Sequence, residues 1–166
     1  AYNESLNYLI LQLSDDGDFK NRKIVVAEAL LESVLKDCGI KDYKKIHTLK
    51  GKDFKNTICN HPFIKIGYEH DIPMFNARFV TTEQGTGIVH CAPSHGPDDF
   101  NLCLNNGIKA IETVDGDGKY TKNVKFFEGI HIFKANPIVI EKLKEQNNLL
   151  FNGELVHSYP HSWRSK

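Results

Sequence analysis

The 166-residue sequence has no CxxC pair, no internal repeat, no low-complexity stretch and no net charge. Each absence removes a class of protein. Cys38, Cys59, Cys91 and Cys103 are widely spaced and read as reduced thiols in a reducing compartment, so a cytoplasmic protein is expected. The 21 basic and 21 acidic side chains cancel, which argues against coating nucleic acid through bulk positive charge but leaves room for a local basic patch. The longest apolar runs, residues 8–13 and 138–140, fall far short of the roughly 18 residues of a membrane span. The opening Ala1-Tyr2-Asn3-Glu4-Ser5 lacks the charged-then-apolar order of a signal peptide. What is present is ordinary for a globular chain, with 40% apolar, 10% aromatic and 25% charged residues. A chain of this length buries roughly 70% of its unfolded surface, enough to fold around one core without a disulfide or metal staple.

Short extended pieces dominate the pattern. Residues 8–13 and 23–26 predict two strands of a hairpin, joined across the turn cluster Ser14-Asp15-Asp16-Gly17-Asp18. Residues 27–38 predict a helix with Ala29, Leu30, Val34 and Leu35 on one face and Gly39 at its C-terminus. Residues 43–49 predict a further strand, and 72–74, 78–81 and 88–91 short extended pieces. Pro97 opens a helix over 97–106 that stops at Gly107, and Asn136-Pro137 predicts the cap and first turn of a helix running to about Gln146. Residues 149–151 and 155–158 read as extended, ahead of a polar tail over 159–166. The sum is a mixed β fold with peripheral α-helices, in which the sheet curls toward a barrel.

Chemistry concentrates in residues 81–100, TTEQGTGIVHCAPSHGPDDF. Gly85 and Gly87 flank Thr86, so the backbone there can turn tightly and a ligand can come close to it. His90 follows at the end of an apolar piece. Asp98 and Asp99 fall in the first turn of the 97–106 helix, where free N–H groups and the helix dipole favour a carboxylate. An ionised carboxylate beside a histidine can hold an ammonium group or orient a water. Two plain readings stand beside this one: helix-start charges for Asp98 and Asp99, and a satisfied core histidine for His90.

These residues resemble the editing domain of isoleucyl-tRNA synthetases, the connective polypeptide inserted into the synthetic Rossmann domain. The likeness rests on His61-Pro62-Phe63, Gly85-Thr86-Gly87-Ile88-Val89-His90, Ala92-Pro93, Gly96-Pro97-Asp98-Asp99, Ile132-Phe133-Lys134-Ala135-Asn136 and the tail Ser158-Tyr159-Pro160-His161-Ser162-Trp163-Arg164. Valyl and leucyl enzymes carry a similar glycine–threonine–glycine segment. Where this chain has His90, however, they typically have Lys and Met, and they tend to have His-Asp where it has His95-Gly96.

The resemblance implies a barrel-like editing domain over 1–158 and a segment over 159–166 that returns to the synthetic domain. It implies hydrolysis of valine wrongly esterified to isoleucine tRNA, with valyl-adenylate as a further substrate. Isoleucyl enzymes are the known case in which one missing methylene limits discrimination to about 150-fold, so that a second, smaller pocket is required. By position, Asp99 matches the aspartate that binds the substrate α-ammonium and is the expected catalytic residue. His90 matches a residue that restricts the amino-acid pocket, His95 lies in the matching motif, and Gly85, Thr86 and Gly87 would shape the site through the backbone. Two alternatives remain at this point: a valyl-type editor that clears threonine, and a module that binds the tRNA acceptor end without cleaving it.

The implied partners are the acceptor end of isoleucine tRNA carrying valine and the remainder of a synthetase that works as a monomer. No membrane, metal or cofactor is expected here; ATP and magnesium would serve the synthetic site and zinc would bind elsewhere in the enzyme. One departure stands out. The family pocket also uses a segment of the type TTTPWT upstream of the first strand, whereas this chain starts at Ala1-Tyr2-Asn3, and Thr81-Thr82 precedes the glycine loop instead. The expectation is a fragment that folds but edits weakly or not at all. Of the remaining constellations, Asp115-Gly116-Asp117-Gly118 reads as a plain turn, since it lacks the terminal glutamate of a calcium loop. His157 and His161 span Pro160 and read as loop residues. Cys91 beside His90 is a poor nucleophile pair, because adjacent strand residues point to opposite faces.

Overall fold

The computed structural model describes residues 1–14 and 19–153. Strand β1 (Asn7–Leu13) is the centre of an antiparallel sheet, with β2 (Lys23–Ala27) on one side and β3 (Tyr43–Lys50) on the other. Tyr8 pairs with Ala27 and with Leu49, so three strands are in register at the level of one buried ring. A bulge between Ile10 and Leu11 shifts the β1–β3 pairing. Between β2 and β3 the chain forms a 3-10 turn (Glu28–Leu30) and helix α1 (Leu31–Asp37), and Gly39 leaves that helix with φ of 65°. A left-handed exit of this kind is where glycine carries no Cβ penalty.

Tyr8, Leu9, Leu11, Val26, Ala27, Leu30, Val34, Leu35, Phe54 and Tyr2 form the core under this sheet. The Tyr8 ring meets Phe54 edge-on at 4.9 Å, and Tyr2 meets Phe54 at 5.5 Å. Apolar side chains packed in this way supply most of the folding drive, at roughly 25 cal/mol per Å² of surface removed from water.

The rest of the chain lies around this unit. Strands β4 (Ile58–Cys59) and β5 (Ile72–Pro73) make a two-stranded ribbon. Helix α2 (Pro97–Asn105) has Pro97 in its first turn and is followed by Gly107 at φ of 79°. Asp115 Oδ1 accepts from the backbone N–H groups of Asp117 and Lys119, both at 2.9 Å, so its own turn satisfies that oxygen. No closed barrel forms among the described residues, where the strands make one three-stranded and one two-stranded sheet.

Four local expectations are corrected. Helix α3 (Ile132–Glu145) starts before Asn136-Pro137 and carries Pro137 inside it. Its cap is His131, whose Nδ1 accepts from the Phe133 N–H at 3.3 Å, so an imidazole does the work usually given to Asn or Ser. Residues 88–91 form no strand, because β2 and β3 already occupy both edges of β1 and the Val89 N–H bonds only to the Ala1 carbonyl. Residues 78–81 likewise are not extended but begin in a turn, closed by the Val80 N–H on the Ala77 carbonyl. Residues 149–151 form no strand either. The turn cluster at 15–18 and the 155–158 piece, together with His157, His161 and the 159–166 tail, lie outside the described residues.

Candidate functional site

The glycine turn is fastened to the core from below. The Ala27 N–H donates to the Thr86 carbonyl at 2.8 Å, and the buried Tyr8 hydroxyl donates to the Gly87 carbonyl at 2.8 Å. The same hydroxyl accepts from the Asn3 N–H at 3.0 Å. Burial raises the Tyr8 hydroxyl above its ordinary pKa, so it stays a donor. Gly87 has φ of 77°, and a Cβ built on it would lie 2.4 Å from the Ala27 Cβ. Only glycine lets the backbone come this close to β2 in this conformation. Thr86 Oγ1 donates to the Ile88 carbonyl at 3.1 Å and so closes the turn on itself.

Above this turn opens a cavity of about 430 Å³. Gly85, Thr86 and Gly87 line it, with Phe79, Thr81, Gln84, Ile88 and Val89. Sequence reasoning named the three turn residues and missed the others as lining. The available signal was adjacency, since Thr81 and Gln84 run directly into the turn.

His90, His95 and Asp99 are placed beyond the cavity, on the loop and helix that follow. His90 is exposed and does not line it. Its charge reaches His61, whose pKa is lowered by burial first, then by His70 and His90. His95 Nε2 lies 3.0 Å from Thr113 Oγ1, and Ser94 Oγ donates to the Ile111 carbonyl, so this pair stitches the loop onto residues 111–113. Asp98 is exposed, whereas Asp99 is half-buried.

Asp99 folds back over its own loop. Its Oδ2 accepts from the Ala92 N–H at 2.9 Å, closing residues 92–99 into a ring. A Cβ on Gly96 would lie 3.2 Å from the same oxygen, a tight contact that Asp99 would have to ease. No hydrogen bond reaches Oδ1 among the described residues, which leaves that oxygen able to accept one from a ligand. Cys91 and Cys103 sit close by. Burial pushes both thiols up, the N-terminal ammonium pulls them partly back and the Asp99 carboxylate raises them again, so neither is poised as a thiolate nucleophile. Among the described residues, no three His, Cys, Asp or Glu side chains come together as a metal cage.

Tyr8→Phe tests the fastening of the turn. It leaves the Gly87 carbonyl and the Asn3 N–H without their shared buried partner. We expect a loss of about 1–3 kcal/mol in chemical denaturation, with faster amide exchange confined first to residues 86–89.

A sequence model described as the leucyl-tRNA synthetase editing domain matches residues 18–149. The isoleucine–tRNA ligase of Pelagibacter ubique is 81% identical over 166 residues, covering 100% of this chain and 18% of that protein. The isoleucine–tRNA ligase of Gluconobacter oxydans is 39% identical, covering 100% of this chain and 19% of its own length. That of Hahella chejuensis is 41% identical, covering 97% and 16%. The chain therefore spans less than a fifth of the length of these relatives. The matched stretch takes in the glycine turn, the cavity and the Asp99 loop, and the chain belongs to the family of leucyl-tRNA synthetase editing domains.

Proposed function

We propose that this chain hydrolyses the ester of valine wrongly joined to isoleucine tRNA, with valyl-adenylate as a second substrate. The observation that carries the reading is the cavity of about 430 Å³ built on Gly85, Thr86 and Gly87. Its volume falls within the roughly 300–1,000 Å³ of small-molecule sites. The likeness to isoleucine–tRNA ligases over the whole chain supports the valyl ester as the substrate. In this reading Asp99 binds the α-ammonium through its charge, and the glycine turn presents backbone to the substrate. His90 and His95 shape the approach from the neighbouring loop. The water that attacks the carbonyl needs no protein base, since a ribose hydroxyl of the substrate can assist it.

The domain would extend over 1–158, with 159–166 leading back to a synthetic domain. Further pairing along the free edges of β2 and β3 would give the barrel-like form. The partner would be the tRNA acceptor end, in the cytoplasm, with the enzyme working as a monomer and this domain needing no cofactor. The test is release of amino acid from valyl- and threonyl-tRNA, by this chain and by a polypeptide of the relatives' full length that carries it. Faster valine release by the long form, with the short form slow, is expected. Preference for the threonyl ester would replace the isoleucyl reading with a valyl one, and acceptor-end binding without release would leave only a binding module.

A further inference from the structure

Away from the cavity, the turn of residues 61–70 gathers two histidines and a tyrosine around one backbone hydrogen bond. His61 Nδ1 accepts from the Phe63 N–H at 3.0 Å. The His61 ring stacks on Tyr68, with centroids 4.5 Å apart and planes 15° apart. The His70 ring lies 5.4 Å from His61 and 6.3 Å from Tyr68.

This cluster is also a seam with a distant stretch of chain. The Tyr68 hydroxyl donates to the Lys125 carbonyl at 2.6 Å, and the Lys125 ammonium donates to the Gly67 carbonyl at 2.8 Å. Buried Phe63 stacks on buried Phe127 with centroids 6.3 Å apart. Asn148 Nδ2 donates to the Pro62 carbonyl at 2.6 Å.

We propose that His61 forms a pH-operated clasp, closed while its ring is neutral and released when it takes up a proton, which joins the 61–70 turn to Lys125, Phe127 and Asn148. The chemistry follows from Nδ1. It accepts the Phe63 N–H only while it carries no proton, so the neutral His61 ring holds its hydrogen on Nε2. Protonation sets a donor against a donor. It also puts a positive charge on a ring 5.4 Å from that of His70.

Nearby positive charge adds to that cost, and the carboxylates beside His70 offset part of it. The charge of His90, on the loop after the glycine turn, acts on His61, and Lys125 reaches the turn from the 124–127 side. Tyr68 brings a neutral hydroxyl, while Glu69 and Asp71 flank His70 in sequence. Burial, then the charges of His70 and His90, hold His61 below the ordinary histidine value of about 6.5. Between the folded and unfolded values the folded form binds fewer protons. The clasp is therefore whole above about pH 6.5 and is lost as pH falls below that through the folded value. None of this depends on ester hydrolysis.

Imidazole and amide NMR of the 166-residue chain from pH 8 to pH 5, with amide hydrogen exchange, tests the clasp. As His61 titrates, exchange of the Phe63 amide, corrected for its intrinsic rate, should quicken about fivefold, the worth of about 1 kcal/mol of net hydrogen bond. The Phe127 and Asn148 resonances should move with the same midpoint. His61→Asn places an oxygen where Nδ1 sits and keeps an acceptor that does not titrate, so the pH response at Phe63 and Phe127 should vanish while the chain stays folded. His70→Gln should move the His61 midpoint upward by removing a neighbouring cation. Phe63 exchange that stays flat through the His61 titration, or a His61→Asn chain that responds to pH as the unaltered one does, overturns the clasp.

Discussion

Replacing Gly87 with alanine is expected to cost about 3 kcal/mol or more and to lower Tm by roughly 6–12 °C. Two terms add. A non-glycine residue in the left-handed region costs about 1–3 kcal/mol, and φ here is 77°. Overpacking costs about 1–3 kcal/mol more, because the new methyl would meet the Ala27 Cβ at 2.4 Å with the Tyr8 ring behind it at 3.5 Å. Neither neighbour can retreat: Ala27 is fully buried on β2, and Tyr8 is fully buried at the middle of the sheet. Gly85→Ala is the internal control. Its φ is also 77°, yet nothing lies within 4 Å of a Cβ built there, so only the strain should be felt, about 1 kcal/mol. Thermal melts and urea titrations of both variants decide the matter. Equal losses at the two glycines would mean that the close approach to β2 does not hold the turn.

That contrast also shows what a sequence can and cannot disclose. Gly85 and Gly87 look alike on paper, as two glycines around a threonine. Their difference lies in long-range contact with Tyr8 and Ala27, some 60–80 residues earlier, which no local pattern encodes. The β1–β2 hairpin, α1 with Gly39 and α2 between Pro97 and Gly107 were legible because period, cap and stop residues sit within a few positions of one another. Helix α3 was legible in kind but not in its start, because the cap is a histidine and the proline lies inside the helix. The 88–91 segment has the composition of a strand but lacks a strand partner among the described residues, and pairing is a tertiary property. At the site, the glycine turn could be read from residue type alone. The separate placement of His90, His95 and Asp99 could not, since it depends on Asp99 and His95 bonding within and beside their own loop.

Asp99→Asn and Asp99→Ala are together expected to separate two tasks of one carboxylate. The first task is visible: Oδ2 holds the Ala92 N–H at 2.9 Å and closes the loop ahead of α2. Asparagine keeps an oxygen for that bond and loses the charge, whereas alanine loses both. A hydrogen bond to a charged group contributes about 1.5–3 kcal/mol and a neutral one about 1, so stability should fall by roughly 1 kcal/mol in Asp99→Asn and by about 2–3 in Asp99→Ala. The second task is the proposed grip on the α-ammonium, which needs the charge. Ester hydrolysis should then drop by about 10–100-fold in both variants, since about 1.5–3 kcal/mol of charge-assisted binding disappears in each. A valyl ester whose amino group is acetylated supplies the matching deletion on the substrate. The unaltered protein should lose as much on that ester as Asp99→Asn loses on the free one, and combining the two changes should add little, as coupled partners do. The nearby thiols give an independent readout, because Cys91 should be alkylated faster once the neighbouring negative charge is gone. If Asp99→Asn hydrolyses the free ester at the unaltered rate while Asp99→Ala is only less stable, Asp99 is a loop fastening alone, and the ammonium is held by another group.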